Sequence, residues 1–218
     1  TEETVEKEQG IISQEIRMYD DSPDWRALFN LLNALYVNHP IKKDIAGTVE
    51  SISQITPELL YTCYNNFYNL NNMVLVVVGN VNTDEVIKCA DKFLKKSDEI
   101  PPSFVIPEEP DEINMEYIEQ KFPVSIPLFQ LGFKENISQP LSEKQLAATD
   151  VLTAMLFGES SMLYKQLEEN KLINNSFSFE HFESDSYSAL LIGGESRNPK
   201  KAAELIKKYV PYYERYKY

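Results

Sequence analysis

Hydrophobic positions recur at helical spacing through most of this chain. Apolar side chains three to four residues apart predict amphipathic helices, and capping residues sharpen their ends. Asp21 or Ser22 is the expected cap of the second helix, with Pro23 in its first turn, and Thr56 is the expected cap of a later one. Helical spacing covers residues 3–20, 23–37, 56–68, 82–96, 143–157, 160–171 and 198–218, and Pro211 interrupts the last of these.

A second pattern predicts β-strands. The segment NMVLVVVGNV at residues 72–81 contains an unbroken Val/Leu run that Gly79 ends, which is typical of a strand buried on both faces. Residues 114–122 and 126–135 read as two adjacent strands. The segment SFSFEHFES alternates as a half-buried strand does, and YSALLIGGES follows it as another strand.

The order of these elements predicts an α+β fold, in which a mixed or antiparallel sheet is covered by helices. Residues 97–114 carry four prolines and many acids, so this stretch is unsuited to a helix or a central strand. We therefore expect two layered segments, residues 1–97 and 122–218, joined by a Pro/acid-rich linker at 98–121.

Composition narrows the class of partner. The 218 residues include 34 acids and 21 bases, which gives a net charge of −13 and argues against nucleic acid and anionic membranes. No apolar run approaches the ~20 residues that span a bilayer. Cys63 and Cys89 match no metal or redox spacing, so we expect free thiols in a reducing compartment, the bacterial cytoplasm. A structural disulfide is the alternative.

Two carboxylates interrupt the apolar side of the first helix. At ~100° per residue from Val5, the apolar side chains, among them Ile12 and Ile16, define an arc of roughly 160°. Glu8 and Glu15 fall inside that arc, near ~300° and ~280°. A buried carboxylate needs a cation, hydrogen-bond donors or a metal, because desolvating the ion costs several kcal/mol. Pairing with a basic side chain, or a solvated groove, is the alternative.

The segment VEKEQGIISQEIRMYDD resembles one that follows the inverted zinc motif in the pitrilysin/insulinase group of metallopeptidases, which includes mitochondrial processing peptidases and bacterial processing proteases. SPDW, HPIKKDIAGTVESI, NMVLVVVGNV and KFLKK follow in the family's order. The resemblance covers essentially the whole chain. It implies that residues 1–97 are the later part of a metal-binding domain and residues 122–218 the first part of a homologous domain without metal.

The resemblance also implies roles for the two glutamates. In the family, H-x-x-E-H supplies two zinc ligands and the catalytic glutamate, and a later helix supplies the third ligand. Laid on this sequence, Glu15 is the zinc ligand, and Glu8 orients a ligating histidine. H-x-x-E-H does not occur in the chain, whose two histidines, His39 and His181, have no such neighbours. We expect no catalytic residue and no bound Zn²⁺ in the chain itself. Arg197 is an isolated candidate for a substrate-binding residue.

The sequence is compatible with three hypotheses for the function. The first is a fragment of a zinc endopeptidase that is inactive alone, acts as a whole on peptide or protein substrates, and self-associates as a homodimer when isolated. The second is a non-catalytic member of the same fold, acting as a peptide-binding or scaffolding subunit. The third is an unrelated structural domain, in which basic side chains pair with the glutamates.

Overall fold

The helices and strands follow most of the predicted pattern. The computed structural model describes residues 1–94, 105–135, 137 and 139–216. The helices are α1 Glu2–Asp20, α2 Pro23–Leu35, α3 Val49–Ile52, α4 Pro57–Phe67, α5 Thr83–Phe93, α6 Glu143–Phe157, α7 Met162–Glu169, α8 Pro199–Lys207 and α9 Val210–Tyr216. The strands are β1 Leu128–Glu135, β2 Ser178–Ser184 and β3 Tyr187–Glu195. No helix within the described ranges is both long and apolar enough to cross a bilayer.

The helix ends confirm the capping predictions. The Ser22 hydroxyl accepts the Trp25 N–H at 3.4 Å at the start of α2. The Thr56 hydroxyl accepts the Leu59 N–H at 3.3 Å at the start of α4. Each cap satisfies a backbone donor that has no partner inside its helix. The last predicted helix is interrupted near Pro211, as expected, and forms α8 and α9.

The three strands form one antiparallel sheet in the order β1-β3-β2. A two-residue loop joins β2 to β3, whose ends pair Ser184 with Tyr187. Segregated helices around a small antiparallel sheet confirm the predicted α+β class.

The described residues fall into two compact units. One contains residues 1–15 and 47–105, and the other contains residues 16–46 and 106–218. The predicted boundaries at 97 and 121 stay a prediction, and residues 98–104 of the predicted linker lie outside the described residues.

The second unit has a layered hydrophobic core. On one face of its sheet, α2 packs Leu32 and Leu35 against Ala189 and Leu191 of β3. Gly132 of β1 permits this close packing, since a Cβ there would lie 2.5 Å from Leu35 Cδ1. The opposite face packs against the later helices, with a core that includes Phe157, Leu163, Leu167, Leu190, Ile192 and Ile206.

The first unit lacks such a core. None of its described hydrophobic side chains is buried, and the side chains of Met73–Val78 are 45–92% exposed. The predicted strand at 72–81 is wrong for this chain, because no described segment pairs with its backbone. A strand forms only where a neighbour supplies the ladder of hydrogen bonds.

The predicted strand at residues 114–122 is also wrong. This segment bonds to the end of α2 instead of to a strand. The Met115 N–H donates to Ala34 O at 2.9 Å, and Asn114 Nδ2 donates to Asn33 O at 2.9 Å. The neighbouring prediction at 126–135 is confirmed as β1.

Candidate functional site

The two predicted site glutamates lie on one exposed side of α1. Glu8 and Glu15 are both exposed and are separated by ~10 Å along the helix axis. Ile11 and Met18, on the same side, are 44% and 61% exposed, whereas Ile16 is buried. The predicted apolar arc is therefore covered on only one of its two sides.

Neither glutamate has a hydrogen bond or an ion pair with any side chain in the part of the chain that the structure describes. Within the described residues, both carboxylates are exposed, as in the alternative of a solvated groove, and not buried against a partner. Because both carboxylates are solvated, they incur no desolvation cost that a cation would have to offset. The roles assigned to Glu15 and Glu8 stay predictions, since the described residues place no imidazole beside them.

His39 has a structural role. Its Nδ1 accepts the Ile41 N–H at 3.1 Å at the start of a short 3-10 turn, and its Nε2 lies 3.2 Å from Ser186 Oγ. Burial lowers the pKa of this imidazole, which favours the neutral form that Nδ1 needs to accept a hydrogen bond. Both ring nitrogens are therefore engaged within the second unit.

His181 belongs to a buried polar cluster at the end of the sheet. The Ser188 hydroxyl donates to Glu135 Oε2 at 2.6 Å, and His181 Nε2 lies 2.9 Å from Ser188 Oγ and 3.4 Å from the same carboxylate oxygen. The side chains of His181 and Glu135 are 2% and 3% exposed, and Ser188 is fully buried.

This cluster brings together a serine, a histidine and an acid, but in a geometry unsuited to nucleophilic catalysis. A catalytic triad holds its acid on Nδ1 of the imidazole and its serine on Nε2, whereas both contacts of His181 are made by Nε2. The full burial of Ser188 also denies a substrate access to its hydroxyl. The cluster therefore joins β1, β2 and β3 through side chains rather than forming an active site.

A second buried cluster, within the second unit, fixes residues 109–112 to the turn after α2 and to β1. The Glu109 carboxylate accepts the backbone N–H groups of Val37, Asn38 and His39, each at 2.7 Å. The Lys134 ammonium donates to Glu109 Oε1 at 2.6 Å and also to the carbonyl oxygens of Pro110 and Glu112. The side chain of Lys134 is only 3% exposed, so this ion pair is largely withdrawn from water.

Burial disfavours the Glu109 carboxylate, but its four donors outweigh that effect and lower the pKa of Glu109 to about 2. No sequence pattern predicts this cluster, because Glu109 lies more than twenty residues from Lys134 and more than seventy from Val37. Only the fold brings these residues together.

The described residues do not make a metal centre by themselves. Across residues 1–94, 105–135, 137 and 139–216, no group of three His, Cys, Asp or Glu side chains is placed to hold a metal ion. Glu15 offers one carboxylate, whereas a zinc site takes three or four protein ligands. Arg197 is exposed and lies outside both buried clusters.

Comparison with known proteins places this architecture in a family. The model of the family described as the peptidase M16 inactive domain matches residues 54–215. The chain belongs to the M16 peptidase family. This membership confirms the zinc-peptidase resemblance noted in the sequence.

Relatives of this chain are named as zinc proteases. The Bacillus subtilis protein named uncharacterized zinc protease YmfH is 39% identical over 219 residues, covering 94% of this chain and 50% of its own length. Zinc protease PqqE of Helicobacter pylori is 28% identical over 211 residues, covering 93% of this chain and 46% of its own.

A solved structure shares the fold closely. An M16-like peptidase from Alicyclobacillus acidocaldarius superposes with a TM-score of 0.85 at 38% identity, covering 97% of this chain and 51% of that one. The M16 chain thus spans about half the length of the relatives that it matches.

Proposed function

We propose that this M16 chain is part of a zinc-dependent endopeptidase, to which it contributes one carboxylate ligand and no catalytic residue. Family membership with relatives named zinc proteases supports a peptidase parent. The observation that carries the proposal is the exposed side of α1, where Glu8 and Glu15 stand two helical turns apart with no described partner.

The proposed roles of Glu15 and Glu8 follow from the exposure of their carboxylates. The Glu15 carboxylate is solvated, so it is free to give one oxygen to a metal held mainly by other residues of the full-length protein. In the proposed site, Glu8 accepts the second ring N–H of a ligating imidazole and so fixes its orientation. Zinc bound in such a site activates a water and polarises the peptide carbonyl. The general base is expected outside this chain, so the chain alone hydrolyses no peptide.

Zinc content and activity test this proposal. In the full-length protein that contains this chain, we expect Glu15→Gln to abolish stoichiometric zinc and peptidase activity. We expect Glu8→Gln to weaken zinc affinity by about 10–100-fold. Glu6→Gln, an exposed position elsewhere on α1, is the matched control and leaves both unchanged. Full zinc content in Glu15→Gln contradicts the proposed ligand.

The isolated chain provides a separate test of its inactivity. We expect no cleavage of a quenched fluorescent peptide library, with or without added Zn²⁺. Cleavage that a chelator abolishes contradicts the statement that the catalytic residues lie elsewhere.

A non-catalytic subunit of the same fold is the second candidate. Its support is that the matching family model describes an inactive domain and covers residues 54–215. Such a subunit binds peptides without cutting them. The presence of H-x-x-E-H elsewhere in the full-length protein favours the peptidase, and its absence favours the binding subunit.

We further propose peptide or protein substrates, homodimers of the isolated chain and a cytoplasmic location. The free thiols of Cys63 and Cys89 are both exposed, which suits a reducing compartment. Labelling with a membrane-impermeant maleimide tests the location. Modification of these thiols in intact cells contradicts it, and modification only after lysis supports it.

A further inference from the structure

One side of α1 is partly covered within the first unit, and the two glutamates lie just beyond its edge. The half-buried residues between positions 2 and 15 are Val5, Gln9, Ile12 and Ser13. All other residues in this range are exposed. At ~100° per residue, the half-buried side chains span ~100° of the helix surface, and Glu8 and Glu15 lie ~40° and ~60° outside that span. A small rotation of the helix would therefore change what the two carboxylates face.

Gln9 supplies a directional contact on this covered side. Its side-chain Nε2 donates to Ile55 O at 2.8 Å, across 46 positions of the chain. Among the described residues, this is the one hydrogen bond that joins residues 2–15 to another segment of the first unit. Apolar contacts have no preferred direction, whereas a hydrogen bond weakens steeply when its angle is distorted. The rotation of α1 about its axis therefore depends on this bond more than on the apolar side chains beside it.

The acceptor of this bond is itself held in place. Ile55 lies between α3 and α4, and its N–H donates to Ile52 O at 3.1 Å. The next residue, Thr56, caps α4. No described backbone N–H donates to Ile55 O, so the amide of Gln9 is the described partner of this carbonyl. Gln9 thus ties α1 to a point that two other helices of the same unit hold.

The two carboxylates have no such anchor. Neither Glu8 nor Glu15 has a described side-chain partner, so the backbone of α1 sets the direction in which each side chain leaves the helix. A helix with its side chains has a radius of ~5–6 Å, so a rotation of ~20° moves a carboxylate by ~2 Å. Ligand distances in a metal site are held to within ~0.2 Å. A rotation of this size is sufficient to misplace a ligand.

We propose that Gln9 is a positioning residue for the zinc site. Its hydrogen bond to Ile55 O fixes the rotation of α1, and with it the positions from which Glu15 reaches the metal and Glu8 reaches a ligating imidazole. This role rests on the proposed function, because only a metal-bound Glu15 needs such positioning. Gln9 acts through the helix and supplies no atom to the metal. Loss of the bond is therefore expected to weaken zinc binding without removing a ligand.

Three variants of the full-length protein that contains this chain separate the hydrogen bond from the size of the side chain. Gln9→Met keeps the length of the side chain and removes its donor. Gln9→Lys restores a donor of similar reach. Gln14→Met, the same substitution at an exposed position on the opposite side of α1, is the matched control.

Zinc affinity is measured by competition with a chromophoric chelator, and the absorption spectrum of the Co²⁺-substituted protein reports the arrangement of the metal ligands. We expect Gln9→Met to weaken zinc affinity about 10–100-fold, as loss of other groups that orient metal ligands does, and to change the Co²⁺ spectrum. Gln9→Lys is expected to retain the zinc affinity of the wild type. Gln14→Met is expected to leave both readouts unchanged.

A merely structural role of Gln9 gives a different result. Gln9→Met then lowers the temperature of thermal unfolding but leaves zinc affinity and the Co²⁺ spectrum as in the wild type, which overturns the proposal. An equal loss of zinc affinity in Gln9→Lys or in Gln14→Met also overturns it, because the loss then does not depend on the donor at position 9.

Glu15→Gln, measured in parallel, distinguishes this proposal from the proposed function. Loss of zinc in Glu15→Gln together with full zinc affinity in Gln9→Met overturns only the positioning role. Full zinc content in Glu15→Gln overturns the ligand assignment and the positioning role together.

Discussion

The ion pair between Glu109 and Lys134 allows a quantitative prediction for stability. Glu109→Gln keeps the size of the side chain but removes its charge, beside an ammonium whose side chain is only 3% exposed. The pKa of Glu109 falls from the ordinary 4.5 to about 2 in the folded chain. A shift of this size corresponds to about 3 kcal/mol of preference for the charged form. We therefore expect Glu109→Gln to lower the free energy of unfolding by about 3 kcal/mol at pH 7.

The same pKa sets the pH window of this stabilisation. Because the folded-state pKa lies below the unfolded one, the contribution of Glu109 is complete above about pH 5 and is lost as the pH falls toward 2. Glu109→Gln has no such titration. The difference between wild type and variant is therefore expected to shrink steadily across this window and to vanish near pH 2.

Urea unfolding followed by the fluorescence of Trp25, the single tryptophan, measures this difference, since Trp25 and Glu109 lie in the same unit. Glu108→Gln is the matched control, because the neighbouring Glu108 side chain is exposed, and its expected effect is below 0.5 kcal/mol. A loss below ~1 kcal/mol for Glu109→Gln at pH 7, or a difference that stays constant between pH 5 and pH 2, refutes the reasoning.

Two further substitutions probe the packing and the polar cluster of the sheet by the same urea assay. Gly132→Ala is expected to cost about 1–3 kcal/mol, because its Cβ meets Leu35 in a buried contact between β1 and α2. A neutral effect means that the leucine moves aside without strain. Ser188→Ala is expected to cost about 1.5–3 kcal/mol, because it removes a 2.6 Å donor from the buried Glu135 carboxylate. An unchanged free energy of unfolding for this variant contradicts the assigned role of the hydroxyl.

The features that could be predicted from the sequence are those that depend on residues close together in the chain. Ser22 and Thr56 cap their helices as expected, because a hydroxyl reaches a backbone N–H only three residues away. Pro211 interrupts the last helix for an equally local reason. The alternating pattern of β2 and the apolar run of β3 predicted two strands that do pair.

Features that depend on distant residues were not predicted. Nothing in the residues around Glu109 indicates that its carboxylate meets three N–H groups seventy positions earlier. The Glu135–Ser188–His181 cluster likewise depends on the register of three strands, which a single-sequence pattern does not specify. For the candidate metal ligand Glu15, the sequence supplied a position through family resemblance, whereas the described residues supply no second ligand.

The wrong strand prediction at residues 72–81 has a physical explanation that bears on function. A hydrophobic pattern reflects the environment for which a segment is suited, and the six apolar residues Met73–Val78 suit a sheet interior. In this chain they are 45–92% exposed, and Ile11 and Met18 beside the proposed ligand on α1 are 44% and 61% exposed. Exposed apolar patches of this kind are typical of surfaces that bind protein, membrane or ligand. The apolar side chains of Met73–Val78 and of the open side of α1 are such exposed surfaces, and on α1 they adjoin the exposed carboxylates of Glu8 and Glu15.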